Sequence, residues 1–138
     1  MLREAGLPPG GMQLIDDARR DALARLMQPL NPSKSAGGSA GNTVKALAAL
    51  GADCLFVGKV GADDDAALLA ESYRRQGAQV RLLRSPLHTG VACTFISPTG
   101  ERTFGTCLGA ASTLSAGDVD VRLLDGVGWL HIEGYLVQ

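Results

Sequence analysis

The sequence predicts an α/β protein with a parallel sheet flanked by helices and a second, smaller sheet. Helical and strand patterns alternate along most of the 138 residues, which is typical of a parallel sheet with helices on its faces. Glycine contributes 18 residues while aromatic residues make up only 4%, and this combination indicates many tight turns. One hairpin pattern lies outside the alternation, so we expect it to form a sheet of its own.

Composition and charge exclude several classes of protein. Thirteen basic and 14 acidic residues give a net charge of −1, whereas nucleic-acid and acidic membrane surfaces select a basic protein. We therefore expect no nucleic-acid and no membrane partner. A hydrophobic content of 46% excludes a disordered chain. The three cysteines form no CxxC pair, which indicates a reduced, cytoplasmic protein without structural zinc or disulfides.

The elements follow from apolar periodicity and from turn residues. In chain order we predict a loop at 1–11, a strand at 12–15, a helix at 18–27, a mostly buried helix at 43–50, a strand at 54–57, a helix at 63–76, a strand at 79–83, a hairpin of 91–97 with 102–107, a helical turn from 115 and a buried strand at 129–137. Gly51 and Gly77 should end the two middle helices. We expect the neighbour of the last strand to lie outside the sequence.

The most glycine-dense window, from Ala36 to Asn42, directly precedes a predicted helix. Small residues let a ligand approach the backbone, and a helix start offers free N–H groups. Asn42 suits a helix cap as well as a ligand contact, and the two roles are compatible. A Walker A loop is excluded, because Val60 follows Lys59 where Ser or Thr is required. A dinucleotide-binding fingerprint is imperfect, since no clear strand pattern precedes the window.

Several strings together resemble one family. A glycine pair precedes Asn42 in GGSAGN (37–42), and Gly51 and Gly61 follow at set distances. Further strings are GLPPGGMQLID (6–16), FVGKVGADD (56–64), TGVACTFISPTGERTFGTCLGA (89–110) and LHIEGYL (130–136). They resemble the PfkB (ribokinase-like) carbohydrate kinases, and in particular the adenosine-kinase-like branch. Val44 departs from the first signature, which has a small residue at that position.

The resemblance implies a ribokinase-like fold, of which this sequence would be the N-terminal part. It implies a single incomplete kinase domain with lid segments at about 11–16 and 89–108 and α/β core segments at about 36–83 and 112–138. The activity implied is ATP-dependent phosphorylation of a hydroxymethyl group on a sugar or nucleoside, with adenosine the leading acceptor. ATP and Mg²⁺ would be bound mainly by a C-terminal half with a GAGD-type motif, which this sequence lacks. We therefore expect the chain alone to be inactive, and we consider a homodimer through the lid.

The resemblance also implies roles for individual residues. Arg102 would be catalytic and face the reacting phosphate, since a guanidinium pairs well with phosphate oxygens. The residues that would bind the acceptor are Gly37, Gly38, Ser39 and Asn42 at the glycine turn, Leu14, Phe104 and Thr106 around its base, and Glu133 on the last strand; Leu136 matches a base-pocket position too. Each also has a structural interpretation: a solvated turn arginine, core packing, or a paired buried acid.

Two other functions stay open from the residues alone. One is a Rossmann-type, nicotinamide-dependent oxidoreductase fragment, in which Asp63 would contact a ribose; the other is a binding remnant without catalysis. A strand directly before Gly37 would favour the oxidoreductase, whereas a lid strand at 12–15 would favour the kinase. For the lid we expect one apolar face that combines Val91, Cys93 and Phe95 with Phe104 and Thr106 across the hairpin. We interpret His88, His131, Cys93 and Cys107 as structural residues.

Overall fold

The computed structural model describes residues 2–134, and the chain divides into two compact units. The first unit contains the residues up to Lys34 together with Gly90–Gly109, and the second contains Ser35–Thr89 and the residues from Ala110 onward. Helices and strands alternate, and each unit has its own sheet. The predicted α/β class with a separate small sheet is therefore confirmed.

The elements are α1 (Leu2–Ala5), β1 (Met12–Leu14), α2 (Asp17–Met27), α3 (Ser39–Ala49), β2 (Leu55–Val60), α4 (Asp64–Arg75), β3 (Gln79–Arg84), β4 (Val91–Ile96) and β5 (Arg102–Cys107). Short 3₁₀ helices lie at Gln28–Leu30, Gly109–Thr113, Ala116–Asp118 and Val121–Leu124. The prediction of a loop throughout 1–11 was wrong at α1. That helix is a single turn, which is too short to produce a periodic apolar pattern.

The first unit is built on a three-stranded sheet with the order β1-β5-β4. The predicted hairpin is formed by β4 and β5, which pair antiparallel, while β1 joins the outer side of β5 in parallel. At the hairpin turn the Ser97 N–H donates to the Glu101 carbonyl at 2.9 Å. Gly100 takes a φ of 83° there, a conformation that favours glycine. β1 also confirms the strand predicted at 12–15.

The two faces of this sheet differ sharply in burial. One face packs on α2, and its core includes Leu23, Cys93 and Phe95. Partners in register share a face, and Cys93 pairs with Gly105 whereas Phe104 pairs with Thr94. The expected apolar face combining Val91, Cys93 and Phe95 with Phe104 and Thr106 is therefore wrong, because successive residues of a strand point to opposite sides of a sheet.

α2 begins one residue before the predicted helix and ends at the predicted residue, Met27. The Asp16 side chain accepts a hydrogen bond from the Arg19 N–H at 2.8 Å, which caps the first turn. The helix buries Leu23, and Gly105 beneath it has no room for a side chain, since a Cβ there would lie 2.8 Å from a Leu23 methyl group. Pro29 follows in the 3₁₀ turn at the end of the helix.

The second unit contains the predicted β-α-β unit. β2 and β3 pair in parallel along their whole length, and α4 connects them. The Asp63 carboxylate caps α4 by accepting the Ala66 N–H at 2.9 Å. Gly51 and Gly77 both have positive φ, 90° and 88°, directly after α3 and α4. Their predicted role as helix-ending residues is therefore confirmed.

α3 starts earlier than predicted and is less buried. Its first residue is Ser39, and Gly38 occupies the N-cap position with φ 88° and no side-chain cap. Asn42 lies inside the helix, so its predicted capping role was wrong. Gly41 is the one buried residue of this helix, and Leu47 is 44% exposed. An alanine-rich pattern does not distinguish a buried helix from an exposed one, because alanine is compatible with either environment.

The strand expected at 129–137 is not present over the residues that the structure describes. Residues 129–133 belong to no helix or strand, and Trp129 is 96% exposed. Apolar composition predicts burial, but a strand also requires a neighbour to hydrogen-bond with its backbone. Leu136 and the rest of that segment lie outside the described residues. No helix in the described part is both long and apolar enough to cross a membrane.

Candidate functional site

The start of α3 gathers three of the predicted site residues. Gly38 turns the chain into the helix with a positive φ, and Ser39 follows as the first helical residue. The Glu133 carboxylate lies at the start of α3, where the Ser39 hydroxyl and the Ala40 backbone N–H lower its pKa. A residue far away in the sequence thus brings a negative charge to a helix start that no local side chain caps.

The environment of Glu133 favours its charged form. The hydrogen bond from the Ser39 hydroxyl is the largest cause that lowers the pKa of this carboxyl; partial burial opposes the shift, and His131 and the Ala40 N–H add to it. His131 Nε2 lies 3.2 Å from a Glu133 oxygen. The Glu133 side chain is 20% exposed, so a carboxylate at the helix start still contacts solvent.

Asn42 lies one turn into α3, on the exposed side. Its backbone N–H donates to the Gly38 carbonyl at 2.9 Å, which is the ordinary bond of a first helical turn. Because Gly38 rather than Asn42 has the cap position, the amide side chain is available for another partner. An amide both donates and accepts, as a pair of neighbouring hydroxyls requires.

Two residues that the sequence did not single out hold the glycine turn before α3. The Tyr73 hydroxyl on α4 donates to the Gly37 carbonyl at 3.2 Å. The Lys45 ammonium on α3 donates to the Ala36 carbonyl at 2.7 Å. Lys45 was visible as the one charged residue within an apolar helix pattern, which indicates a specific partner. Nothing in the sequence marked Tyr73, which sits in an amphipathic helix of ordinary composition.

The carboxylate of Asp63, in the loop between β2 and α4, bonds to Thr89 and to the first turn of α4. One of its carboxylate oxygens accepts the Thr89 hydroxyl at 2.6 Å, and the other accepts the Thr89 N–H at 2.7 Å. Burial raises the pKa of Asp63, but the hydrogen bonds from Thr89 and Ala66 outweigh it and lower the pKa below its ordinary value. A carboxylate with this many internal partners is a structural group, which removes the ribose contact that the oxidoreductase hypothesis needs.

A partly buried ion pair anchors the segment after the hairpin to β2. The Lys59 ammonium lies 2.8 Å from an Asp118 oxygen and also donates to the Thr113 carbonyl at 3.0 Å. Asp118 accepts the Ser115 hydroxyl and N–H as well. The bond from Lys59 and the two from Ser115 lower the pKa of Asp118 to about 2. Lys59 is therefore part of a structural network rather than of a phosphate loop.

The first unit presents an apolar sheet face with the three predicted base-contacting residues. Leu14 is the register partner of Thr106, and Met12 is the partner of Phe104. Leu14 and Met12 are 59% and 52% exposed, and Phe104 and Thr106 are half-buried. Residues that lie far apart in the sequence are thus side by side on the face opposite the core.

Arg102 begins β5 at the edge of that same face. It pairs with Ile96 across the hairpin, and its guanidinium carbon lies 5.7 Å from the centre of the Phe104 ring, close enough for a cation–π contact. The side chain is exposed, and among residues 2–134 no carboxylate forms an ion pair with it. The guanidinium is therefore available for an anion.

The predicted site residues therefore form two groups, one in each unit. Leu14, Arg102, Phe104 and Thr106 share one sheet face of the first unit, while Gly37, Gly38, Ser39, Asn42 and Glu133 belong to the second unit. Within the second group, Ser39 and Glu133 are in direct contact. A Cβ placed on Gly37 or Gly38 would meet no atom within 4 Å beyond the neighbouring residues of the chain, so the surface of both glycines is open.

Comparison with known proteins identifies the family. The family described as "pfkB family carbohydrate kinase" matches residues 12–138, which is nearly the whole chain. The chain belongs to the PfkB family. A curated relative, an uncharacterized sugar kinase of Archaeoglobus fulgidus, is 24% identical over 93 residues, covering 67% of this chain and 37% of that protein.

Solved structures agree with membership in the PfkB family. An adenosine kinase from Sinorhizobium meliloti is 31% identical with a TM-score of 0.78, over 91% of this chain and 38% of that one. A probable sugar kinase from Rhizobium etli is 30% identical with a TM-score of 0.80, over 89% and 37% of the two chains. The chain thus spans less than two fifths of the length of these relatives.

Membership in the PfkB family also counts against one hypothesis left open above, the Rossmann-type oxidoreductase. The strand at Met12–Leu14 is present, and residues 31–38, all of them described, contain no strand. Both observations favour the kinase over the Rossmann-type oxidoreductase. The resemblance noted in the sequence and the ribokinase-like fold that it implied are confirmed.

Proposed function

We propose that this chain is the acceptor-binding and lid part of an ATP-dependent kinase, and that the acceptor is adenosine. In this proposal the γ-phosphate is transferred to the hydroxymethyl group of the nucleoside. Residues 11–16 and 89–108 form the lid, which is also the surface for pairing two copies, and 36–83 with 112–138 form the core. The same proposal places the protein in the cytoplasm. Among the similar structures, several are named as adenosine kinases, and this supports the choice of acceptor.

The contact between Ser39 and Glu133 is the observation that carries the proposal. It brings a hydroxyl, a carboxylate and the free backbone N–H groups of a helix start within one small surface, with the Asn42 amide one turn further on. Sugar hydroxyls both donate and accept hydrogen bonds, so a surface with both kinds of group suits them. Glycines at 37 and 38 allow the sugar to approach the backbone closely.

The exposed sheet face of the first unit supplies the apolar part of acceptor recognition. A nucleobase is flat and mostly apolar on its faces, and an aromatic ring such as Phe104 offers an area on which it can stack. Leu14 and Thr106 lie beside one another next to that ring. A simple sugar has no base that could pack on this surface, and we therefore favour a nucleoside over a sugar as the acceptor.

Arg102 is the catalytic residue in this proposal. Phosphoryl transfer depends mostly on positioning and on charge stabilisation, and the guanidinium is permanently charged and can pair with two phosphate oxygens. Its exposed position without a carboxylate partner among the described residues fits that task. ATP would supply the phosphoryl group and Mg²⁺ would neutralise its charge; both would be bound mainly by residues outside this chain.

Binding of small molecules to the 138-residue chain tests whether adenosine is the acceptor. We would titrate ¹⁵N-labelled protein separately with adenosine, ribose and a nicotinamide dinucleotide and follow the backbone amides by NMR. We expect adenosine to shift the amides of Ser39 and Ala40 and those around Phe104, and ribose to shift only the first group. Shifts caused by the dinucleotide but not by adenosine would contradict the proposal. Amides of α2 that face the core, such as that of Leu23, serve as the internal control.

A further inference from the structure

Two side chains donate hydrogen bonds to successive carbonyl groups of the glycine turn, residues 36–38, before α3. Tyr73 donates to the Gly37 carbonyl at 3.2 Å, and Lys45 donates to the Ala36 carbonyl at 2.7 Å. The space in which Gly37 and Gly38 would carry a side chain is empty to a distance of 4 Å. Without these two bonds the turn would have few restraints, since glycine has more backbone freedom than any other residue.

Burial and ring packing hold the Tyr73 hydroxyl in one orientation. The residue is fully buried, and its ring packs edge-on against Phe56 with the ring centres 4.6 Å apart. A buried hydroxyl requires a hydrogen-bond partner, and the Gly37 carbonyl provides it. Burial also raises the pKa of Tyr73, so the phenol stays protonated and remains a donor.

Gly41 shows how closely α3 is fitted around that hydroxyl. A Cβ at position 41 would overlap the Tyr73 oxygen and would lie 2.7 Å from its ring carbon Cζ. The Lys45 ammonium lies 5.8 Å from the centre of the same ring, within cation–π range. Tyr73, Gly41 and Lys45 therefore form one contiguous support beneath the start of α3.

We propose that Tyr73 and Lys45 are positioning residues that preorganise the glycine turn for the acceptor, by fixing the carbonyls of Gly37 and Ala36. The Ala36 carbonyl shares a peptide plane with the Gly37 N–H, and the Gly37 carbonyl shares one with the Gly38 N–H, so the two bonds fix where these N–H groups point. This inference rests on the proposed function, in which Gly38, Ser39 and Asn42 bind the acceptor. Preorganisation raises affinity because less ordering remains to be done on binding.

The test compares Tyr73→Phe, which removes only the hydroxyl, with Lys45→Met, which removes only the ammonium. Arg75→Met on the exposed face of α4 is the matched control, since Arg75 forms an exposed ion pair with Glu71 one turn away. Adenosine affinity would be measured by NMR titration of the 138-residue chain. We expect each test variant to weaken binding about threefold to tenfold, as the loss of one hydrogen bond implies, and the control to bind like the unaltered chain.

Amide hydrogen exchange gives a second measurement that requires no ligand. The Asn42 N–H bonds to the Gly38 carbonyl, whereas the Leu50 N–H bonds at the other end of the same helix. We expect Tyr73→Phe and Lys45→Met to speed exchange at Asn42 at least threefold relative to Leu50. Unchanged exchange at Asn42 in both variants would overturn the positioning role. If adenosine fails to bind the unaltered chain, the proposed function fails, and exchange still decides the positioning role.

Discussion

The Ser39 hydroxyl lies beside the carboxylate of Glu133, a residue from the far end of the sequence, and lowers its pKa. The contact joins the start of α3 to the segment after the 3₁₀ helix at Val121–Leu124, and it leaves a polar surface beside two open glycines. Glu133 can therefore be a structurally paired acid and a residue that binds the acceptor at the same time. Substitutions at single positions separate the structural from the functional roles of these residues.

Asn42→Ala tests recognition of the acceptor hydroxyls. Turnover is best measured in a chimera, in which this chain replaces the matching part of the Sinorhizobium meliloti adenosine kinase. Loss of a hydrogen bond to the substrate costs about 1–3 kcal/mol, so kcat/KM for adenosine should fall at least severalfold. The melting temperature should stay the same, because Gly38 rather than Asn42 has the cap position.

Leu47→Ala is the control for Asn42→Ala, since Leu47 is exposed on the same helix. It should leave both kcat/KM and the melting temperature unchanged. A lower melting temperature for Asn42→Ala with an unaltered KM would show that Asn42 is structural and would remove it from the site.

Arg102→Lys tests the catalytic assignment. The substitution keeps the charge but loses the planar fork that pairs with two oxygens. In the chimera we expect kcat to fall more than KM rises, because the contact is made to the reacting phosphate. A kcat within about twofold, roughly 0.4 kcal/mol, would show that Arg102 is an ordinary turn residue. Arg75→Lys, an exposed arginine on α4, is the control.

The lowered pKa of Asp118 predicts how the stability of the second unit depends on pH. Its pKa is lowered to about 2 in the folded protein, below the ordinary value near 4. An acid with a lowered pKa contributes stability above its unfolded pKa and loses it as pH falls through the folded one. Urea unfolding should therefore show a loss of stability between about pH 4 and pH 2.

Asp118→Asn should remove much of that pH dependence, and at pH 7 it should be less stable than the unaltered chain. Asp125→Asn, at an exposed acid nearby, should leave the pH profile as it was. An Asp118→Asn profile that coincides with that of the unaltered chain would show that the Lys59 ion pair does not persist in solution.

Gly41→Ala tests the packing beneath the start of α3. A methyl group there would overlap the Tyr73 hydroxyl, so unfolding in urea should show a loss of about 1–3 kcal/mol. Gly37→Ala is the matched control, because nothing lies within 4 Å of a Cβ at that position. Equal stabilities for the two variants would contradict the observed contact between α3 and α4.

Much of the fold could be predicted from the sequence because its signals are local. Asp16 and Asp63 precede apolar periodic segments and both cap helices, and Gly51 and Gly77 end helices with positive φ. The early start of α3 was missed, because the residues Gly, Ser and Ala carry no apolar periodicity. The strand at 129–137 was predicted from composition, which says nothing about a hydrogen-bonding neighbour.

The candidate site was predictable only in part, for a different reason. Resemblance to a family identified Ser39, Glu133 and Phe104 as separate positions, but their contacts depend on strand register and tertiary packing. The pairing of Cys93 with Gly105 decides which residues of β4 and β5 share a face. The alternation of apolar and polar residues in the sequence does not determine that pairing. Tyr73 acts on a turn in another part of the chain, and no local pattern encodes such a contact.

Phosphorylation of adenosine by the chimera, measured with γ-labelled ATP and Mg²⁺, tests the central claim most directly. We expect labelled phosphate on the hydroxymethyl group of adenosine, faster than on ribose, in a chimera that melts cooperatively like its parent. The 138-residue chain alone, which lacks a GAGD-type motif, should show no turnover near ~1 s⁻¹. A cooperatively folded chimera that phosphorylates ribose but not adenosine, or that phosphorylates neither, would contradict the proposed acceptor-binding role.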